Sequence, residues 1–304
     1  YWPLVTRPRL PQHNPPLFSM PSTPSSRRTF LKTAALASAG AAWVAPTSAK
    51  SVHPPMPGSP LQLGIASYST RKLSRQDTFK LARELGTPNV NIKSFHLDYD
   101  ADILEVAAFQ QDVADAGIRI TGGGVVTLKE DADAPIEDAF NYARAAGMPM
   151  MVIAPTFETL PRIEHFVKKF DIAVAIHNHG PEDKLFPTGA SALPHISKLD
   201  ARVGVCLDIG HSARSGSDLV AEVAELGPRL LDLHVKDLID LSDKTSICVV
   251  GDGVLPIAPF MRQLMAVEYR GYVNLEYEID AENPRHGMHR SFAFMRGVAA
   301  GLVA

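Results

Sequence analysis

Two cysteines in 304 residues, Cys206 and Cys248, are too few for a disulfide framework and lack the paired spacing of a zinc knuckle. Each reads as a small buried apolar side chain. Excess basic charge is also missing: a formal net charge of −3 and a pI near 6.4 leave no reason to expect a polyanionic partner, so nucleic acid is not an expected substrate. No apolar run reaches the roughly 20 residues that a bilayer-spanning helix needs, which excludes a stable membrane anchor of that kind. The glycine fingerprint GxGxxG of doubly wound dinucleotide-binding folds is absent as well. What remains, 45% hydrophobic and 21% charged, is ordinary globular composition with length enough for one large core or two small ones.

The first sixty residues differ from the rest. Residues 1–24 are Pro-rich, without periodicity and without an initial Met, and read as a disordered extension or an over-long start, Met20 being a plausible true one. SSRRTFLK (25–32) then sets a twin arginine before a short apolar stretch and a small-residue site ending at Ala49. A basic segment, a weakly apolar one and a cleavable site describe an export signal. The stretch 25–49 resembles a twin-arginine (Tat) signal, which implies a periplasmic or extracellular protein and raises the expectation of a cofactor acquired before export. Residues 50–60 read as a linker.

From residue 61 to 304 strand-like and helix-like runs alternate with no second domain boundary. Strands are expected at 61–68, 88–95, 118–126, 148–155, 172–179, 202–210, 230–237 and 271–278, with amphipathic helices between them and a last helix over 291–302. About eight β-α units predict a single (β/α)8 TIM barrel. In the last four strands bulky residues alternate with small or polar ones. Successive side chains on a strand face opposite sides, so the bulky set faces the helices and the polar set the barrel interior. Leu231, Leu233 and Val235 are expected outside, and Asp232, His234 and Lys236 inside.

The inward residues nearest the C-terminal strand ends are His177, Asp208, His234 and Glu276, one per strand. Barrel enzymes build their sites at that end. Two imidazoles and two carboxylates converging there predict one divalent metal ion, with Mn²⁺, Mg²⁺, Co²⁺ and Zn²⁺ all compatible. Lys236 would point into the mouth, as a cation for an enolate oxygen or in an ion pair with Glu278 or Asp237, and Glu278 is the base or that partner. His179 is a substrate contact and an alternative to His177 as ligand. Lys93, His96 and Tyr68 are expected at the substrate, and His165 and His195 on the surface. The glycine runs at 122–124 and 251–253 invite an anion-binding reading, against which GGG in a strand can simply relieve crowding.

LGIASYS, IKSFHL, HNHGPEDK, CLDIGHSARSG, LHVKD and NLEYE occur in that order at successive strands. With these motifs the chain resembles the sugar phosphate isomerase/epimerase superfamily, the xylose isomerase-like TIM barrels, over about residues 61–300, and especially its exported members. The resemblance implies that Asp208, His234 and Glu276 are metal ligands, and that His211 contacts the substrate beside the metal. The superfamily usually has a glutamate where this chain has His177. In its epimerases two metal-bound glutamates exchange the proton, so an imidazole in place of one favours one-base chemistry on a small-molecule sugar or keto-sugar, with Glu276, Glu278, Lys236 and His211 as the catalytic group. The products of such chemistry are those of an isomerase or epimerase, or of a keto-glycoside lyase. An exported carbohydrate-binding protein with a degenerate site and an apurinic endonuclease-like hydrolase are the alternatives. A homo-oligomer is compatible with all of these.

Overall fold

A computed structural model describes residues 61–303. The expected extension, export signal and linker lie outside the described residues. Eight parallel strands close into a barrel: β1 (Gln62–Ala66), β2 (Asn89–Ile92), β3 (Arg119–Leu128), β4 (Met150–Pro155), β5 (Ala173–His177), β6 (Val203–Asp208), β7 (Leu230–Val235) and, after a short antiparallel hairpin of β8 (Asp237–Leu238) and β9 (Ile247–Cys248), β10 (Tyr272–Leu275), which pairs with β1. Closure leaves no sheet edge in the barrel.

The main core lies between strands and helices, where Phe79, Phe109, Phe140, Phe166, Phe260 and Phe292 are all buried. Each such ring contributes about 1.5–3 kcal/mol by leaving water. The helices begin where the chain supplies caps: Ser74 accepts from Asp77 N–H ahead of Arg75–Glu84, and Asp102 and Glu105 form a capping box at Ile103–Asp115. Among the described residues no helix is long and apolar enough to cross a membrane.

A separate, smaller apolar group of Met150, Val152, Ala175 and Cys206 fills the barrel interior. Beside it Asn91 and Asn274 both donate to the buried Asp232 carboxylate, at 2.8 and 2.7 Å. Burial pushes the Asp232 carboxyl up to about 7, against the pull of the Leu233 amide, Lys93 and the two asparagines. One parity expectation fails. Leu231 packs with the interior group rather than with the helices, because the β6–β7 register shifts between Val205 and Cys206. A side chain at Gly204 would put its Cβ 2.5 Å from Leu231 Cγ, so glycine makes room for the inturned leucine.

The hairpin β8–β9 is anchored by Asp237, whose buried carboxylate accepts from the amides of Leu238, Gly251, Gly253 and Leu255 at 2.9–3.2 Å. The GDG amides at 251 and 253 are therefore engaged by a side chain of the protein itself. That corrects the anion-binding reading of this turn. The GGG run lies inside β3, and a Cβ at Gly124 would approach Val152 O to 2.1 Å, in keeping with the crowding reading.

Candidate active site

His177 ends β5, Asp208 ends β6, His234 is the penultimate residue of β7 and Glu276 directly follows β10, so four parallel strands bring them to one mouth. One ligand atom from each lies within 4.8 Å of all the others, and all four residues are buried. His177 Nε2 stands 2.8 Å from His234 Nδ1 and 3.7 Å from Asp208 Oδ2, and His234 Nδ1 stands 3.4 Å from Glu276 Oε2.

Asp208 divides its two oxygens. Oδ1 accepts from His211 N–H and starts the helix Ile209–Arg214, while Oδ2 is buried and faces the Lys236 ammonium at 3.0 Å. Asn178 fixes the strand end from outside the cluster, donating to Asp208 O and Ser212 Oγ and accepting from Asp208 N–H. Sequence reading missed Asn178, which sits between two histidines on the opposite parity. Burial, and then the neighbouring His234 and His179, hold the His177 imidazole well below its usual pKa; burial likewise lowers that of His234. Both rings are then neutral near neutral pH, the state that ligates metal. Two neutral imidazoles, whose His177 Nδ1 and His234 Nε2 have no hydrogen-bond partner, and two carboxylates at these spacings are a donor set that fits a first-row divalent ion.

Lys236 reaches the same carboxylates. Its Nζ lies 3.0 Å from both Asp208 Oδ2 and Glu276 Oε2 and also pairs with Glu278. Burial alone would lower the lysine, but Asp208, Glu276 and Glu278 together hold it well above its usual value. Glu276 is the mirror case: burial would raise it, and His234, Lys236 and Lys93 hold it well below the usual carboxylate range. Of the two partners expected for Lys236, Glu278 is the one found, Asp237 being committed to the hairpin. The lysine stem passes over Gly210, where a Cβ would fall 2.6 Å from Lys236 Cγ.

A cavity of about 340 Å³ opens above the cluster, lined among others by Tyr68, Lys93, His179, His211 and Glu278. Lys93 Nζ is 3.6 Å from Glu276 Oε1. His179 lies in this wall, its ring 4.6 Å from that of His177 and its Nδ1 3.3 Å from Asp183, but it is not one of the four converging residues. Phe95, half exposed and 5.8 Å from the Tyr68 ring, and Tyr99 add an aromatic wall that the strand pattern did not disclose. His96 is a correction: it does not line the cavity, because its ring nitrogens are held by Ser67 Oγ at 3.0 Å and Thr78 Oγ1 at 3.1 Å behind β2. His165 and His195 are exposed on helices, as expected, with His195 stacked on Phe157.

A closed parallel β/α barrel with two histidines, an aspartate and a glutamate clustered at its C-terminal mouth is a TIM barrel with a donor set that could hold a metal ion. The chain belongs to the xylose isomerase-like TIM barrel family, whose profile matches residues 51–298. It is 29% identical over 127 residues to the rhizopine catabolism protein MocC of Rhizobium meliloti, an alignment covering 37% of this chain and 38% of that protein. The chain thus spans well under half the length of this curated relative. Among solved structures, an uncharacterized protein of Parabacteroides distasonis ATCC 8503 superposes with a TM-score of 0.62 at 25% identity, covering 79% of this chain and 99% of that one. The 3-keto-D-glucoside 4-epimerase YcjR of E. coli superposes with a TM-score of 0.64 at 17% identity, over 78% and 99% of the two chains, a likeness of fold.

Proposed function

We propose that the protein is a divalent-metal-dependent enzyme that removes a proton α to a carbonyl of a sugar, as an isomerase or epimerase or as a keto-sugar lyase. The observation that carries this reading is the convergence of His177, Asp208, His234 and Glu276 beneath a cavity lined by Lys93, Lys236, His211 and Glu278. Bound there, the ion would polarise the sugar carbonyl and its neighbouring hydroxyl. Glu276, kept ionised by its cationic neighbours, is the base on one side of the cavity. On the other side His177 offers an imidazole, which supports removal and return of the proton by one base, or elimination, over exchange between two carboxylates. Lys93 and Lys236 place positive charge where an enolate oxygen develops, and His211, 3.9 Å from Asp208 Oδ2, orients a substrate hydroxyl. Tyr68 and Phe95 supply apolar faces for the ring. The proposed setting is the periplasm or exterior, resting on the twin-arginine pattern at 25–49.

The test combines metal analysis with a substrate panel. The purified protein should retain about one divalent ion per chain. In heavy water the metal-loaded protein should either exchange deuterium into an intact ketose or release the aglycone from a 3-keto-glucoside, and the two outcomes separate isomerase from lyase. A protein that binds no divalent ion and exchanges no proton on any member of the panel is not this enzyme.

A further inference from the structure

The inner cavity does not end at the Lys236–Glu278 pair. A second cavity of about 540 Å³ lies beyond it, and the two share His211, Lys236 and Glu278 as a common partition. Its outer wall is the segment between β8 and β9, which contributes Lys244, Thr245 and Ile247. That wall is built from within. Asp240 Oδ1 accepts from Ser242 N–H and Oγ–H, Asp243 Oδ1 accepts from Thr245 N–H and Oγ–H, and Ser246 Oγ donates to Asp240 O, all at 2.7–2.8 Å. The Asp237 anchor fixes the base of the same hairpin.

The chemistry of the lining narrows what fits. Leu238, Ile247 and Ile279 offer apolar faces, while Lys244, Asp280 and Glu278 ring them with donors and acceptors. Arg214, which also lines the cavity, has a side chain only 6% exposed; its terminal nitrogens hold Glu182, and its Nε has no hydrogen-bond partner. A phosphate or other strong anion would face Glu278 and Asp280, and among the described residues that line the second cavity none is an aromatic that could stack on a flat aglycone. Mixed apolar faces and a balanced polar rim match a second pyranose ring, with its C–H faces and hydroxyl edge.

We infer that the second cavity is a subsite for a sugar unit linked to the reacting ring, so that the preferred substrate is disaccharide-sized, its glycosidic bond lying beside Lys236 and Glu278. This rests on the sugar-directed reading of the inner site, and it is tested by occupancy rather than turnover. Calorimetric titration of the full-length, metal-supplemented protein with glucose, trehalose, maltose and cellobiose, and with 3-keto-glucose and the 3-keto forms of the disaccharides, should show at least one disaccharide binding about tenfold tighter than its monosaccharide. Ile247→Trp, which fills the cavity, should remove that gain. Lys244→Ala, an exposed change that keeps the fold, should reduce it several-fold. The inference is overturned if no disaccharide binds tighter than the monosaccharides, or if the gain survives in both variants. Failure of the metal-enzyme reading shows separately, as absence of a bound ion and of proton exchange, whatever the titrations give.

Discussion

The two mouths of this barrel are built from the same strands and differ in almost everything else. At the N-terminal mouth the strands open onto a cavity of about 530 Å³ lined by Pro149, Met150, Leu231, Tyr269 and Tyr272, largely apolar. At the C-terminal mouth His177, Asp208, His234, Lys236 and Glu276 are packed within hydrogen-bond or ion-pair reach of one another, all buried. Between them the interior passes through Val152, Ala175 and Cys206 to the Asp232–asparagine network. Buried charge is costly unless opposite charge, a cation or dense hydrogen bonding meets it, so its concentration at one end sets that mouth apart energetically from the other.

The comparison breaks most sharply at Asp208. Asp208→Ala should leave the barrel folded but abolish retention of the divalent ion, and with the ion several kcal/mol of charge stabilisation, a loss of activity on the order of 10³-fold or more. Metal analysis and circular dichroism together check it, and a variant that still holds one ion per chain would remove Asp208 from the ligand set. Lys236→Met comes next. Without metal, the Asp208 and Glu276 carboxylates then stay buried with no ammonium 3.0 Å away, and the unloaded protein should lose about 3 kcal/mol. With the competing ammonium gone, Mn²⁺ should bind about tenfold tighter and restore the melting temperature by more than it does in the parent. Thermal melts with and without chelator measure both effects; equal metal affinity in the two proteins would mean that lysine and ion do not compete.

How far the sequence disclosed these two ends follows from the physics of strands. Parity along a strand is a strong signal: the run of β-α units made the eight-stranded barrel legible, and parity in the last four strands, with the C-terminal placement of barrel sites, brought His177, Asp208, His234 and Glu276 together. A bulge breaks parity without a composition cue, which is why alternation puts Leu231 on the wrong face. Contacts between distant loops carry no period at all. Nothing local announces that Asp237 collects the glycine amides of 251 and 253, that His96 turns back to Ser67 and Thr78, or that Phe95 and Tyr99 wall the cavity. Asp237→Ala tests the first of these. It removes an acceptor shared by four buried or half-buried amides and should cost about 2–3 kcal/mol in chemical denaturation. Metal retention should be unchanged, since the Asp237 carboxylate is spent on the hairpin amides rather than on the cluster.

The smallest effects belong to the apolar end, and they separate packing from position. Leu231 and Leu233 lie two residues apart on β7, yet the bulge sends Leu231 to the interior while Leu233 is fully buried against the helices. Leu233→Ala opens a void in close-packed surroundings and should cost about 3 kcal/mol. Leu231 already borders the N-terminal cavity, so its truncation enlarges existing space, forfeits fewer contacts and should cost nearer ~1 kcal/mol. Neither change should alter metal affinity, because Leu231 lies at the far end of the strand from His234 and Leu233 faces away from it. If Leu231→Ala costs as much as Leu233→Ala, the N-terminal cavity is filled in solution. If it weakens metal binding, the two mouths are coupled through β7, and charge at one end depends on packing at the other.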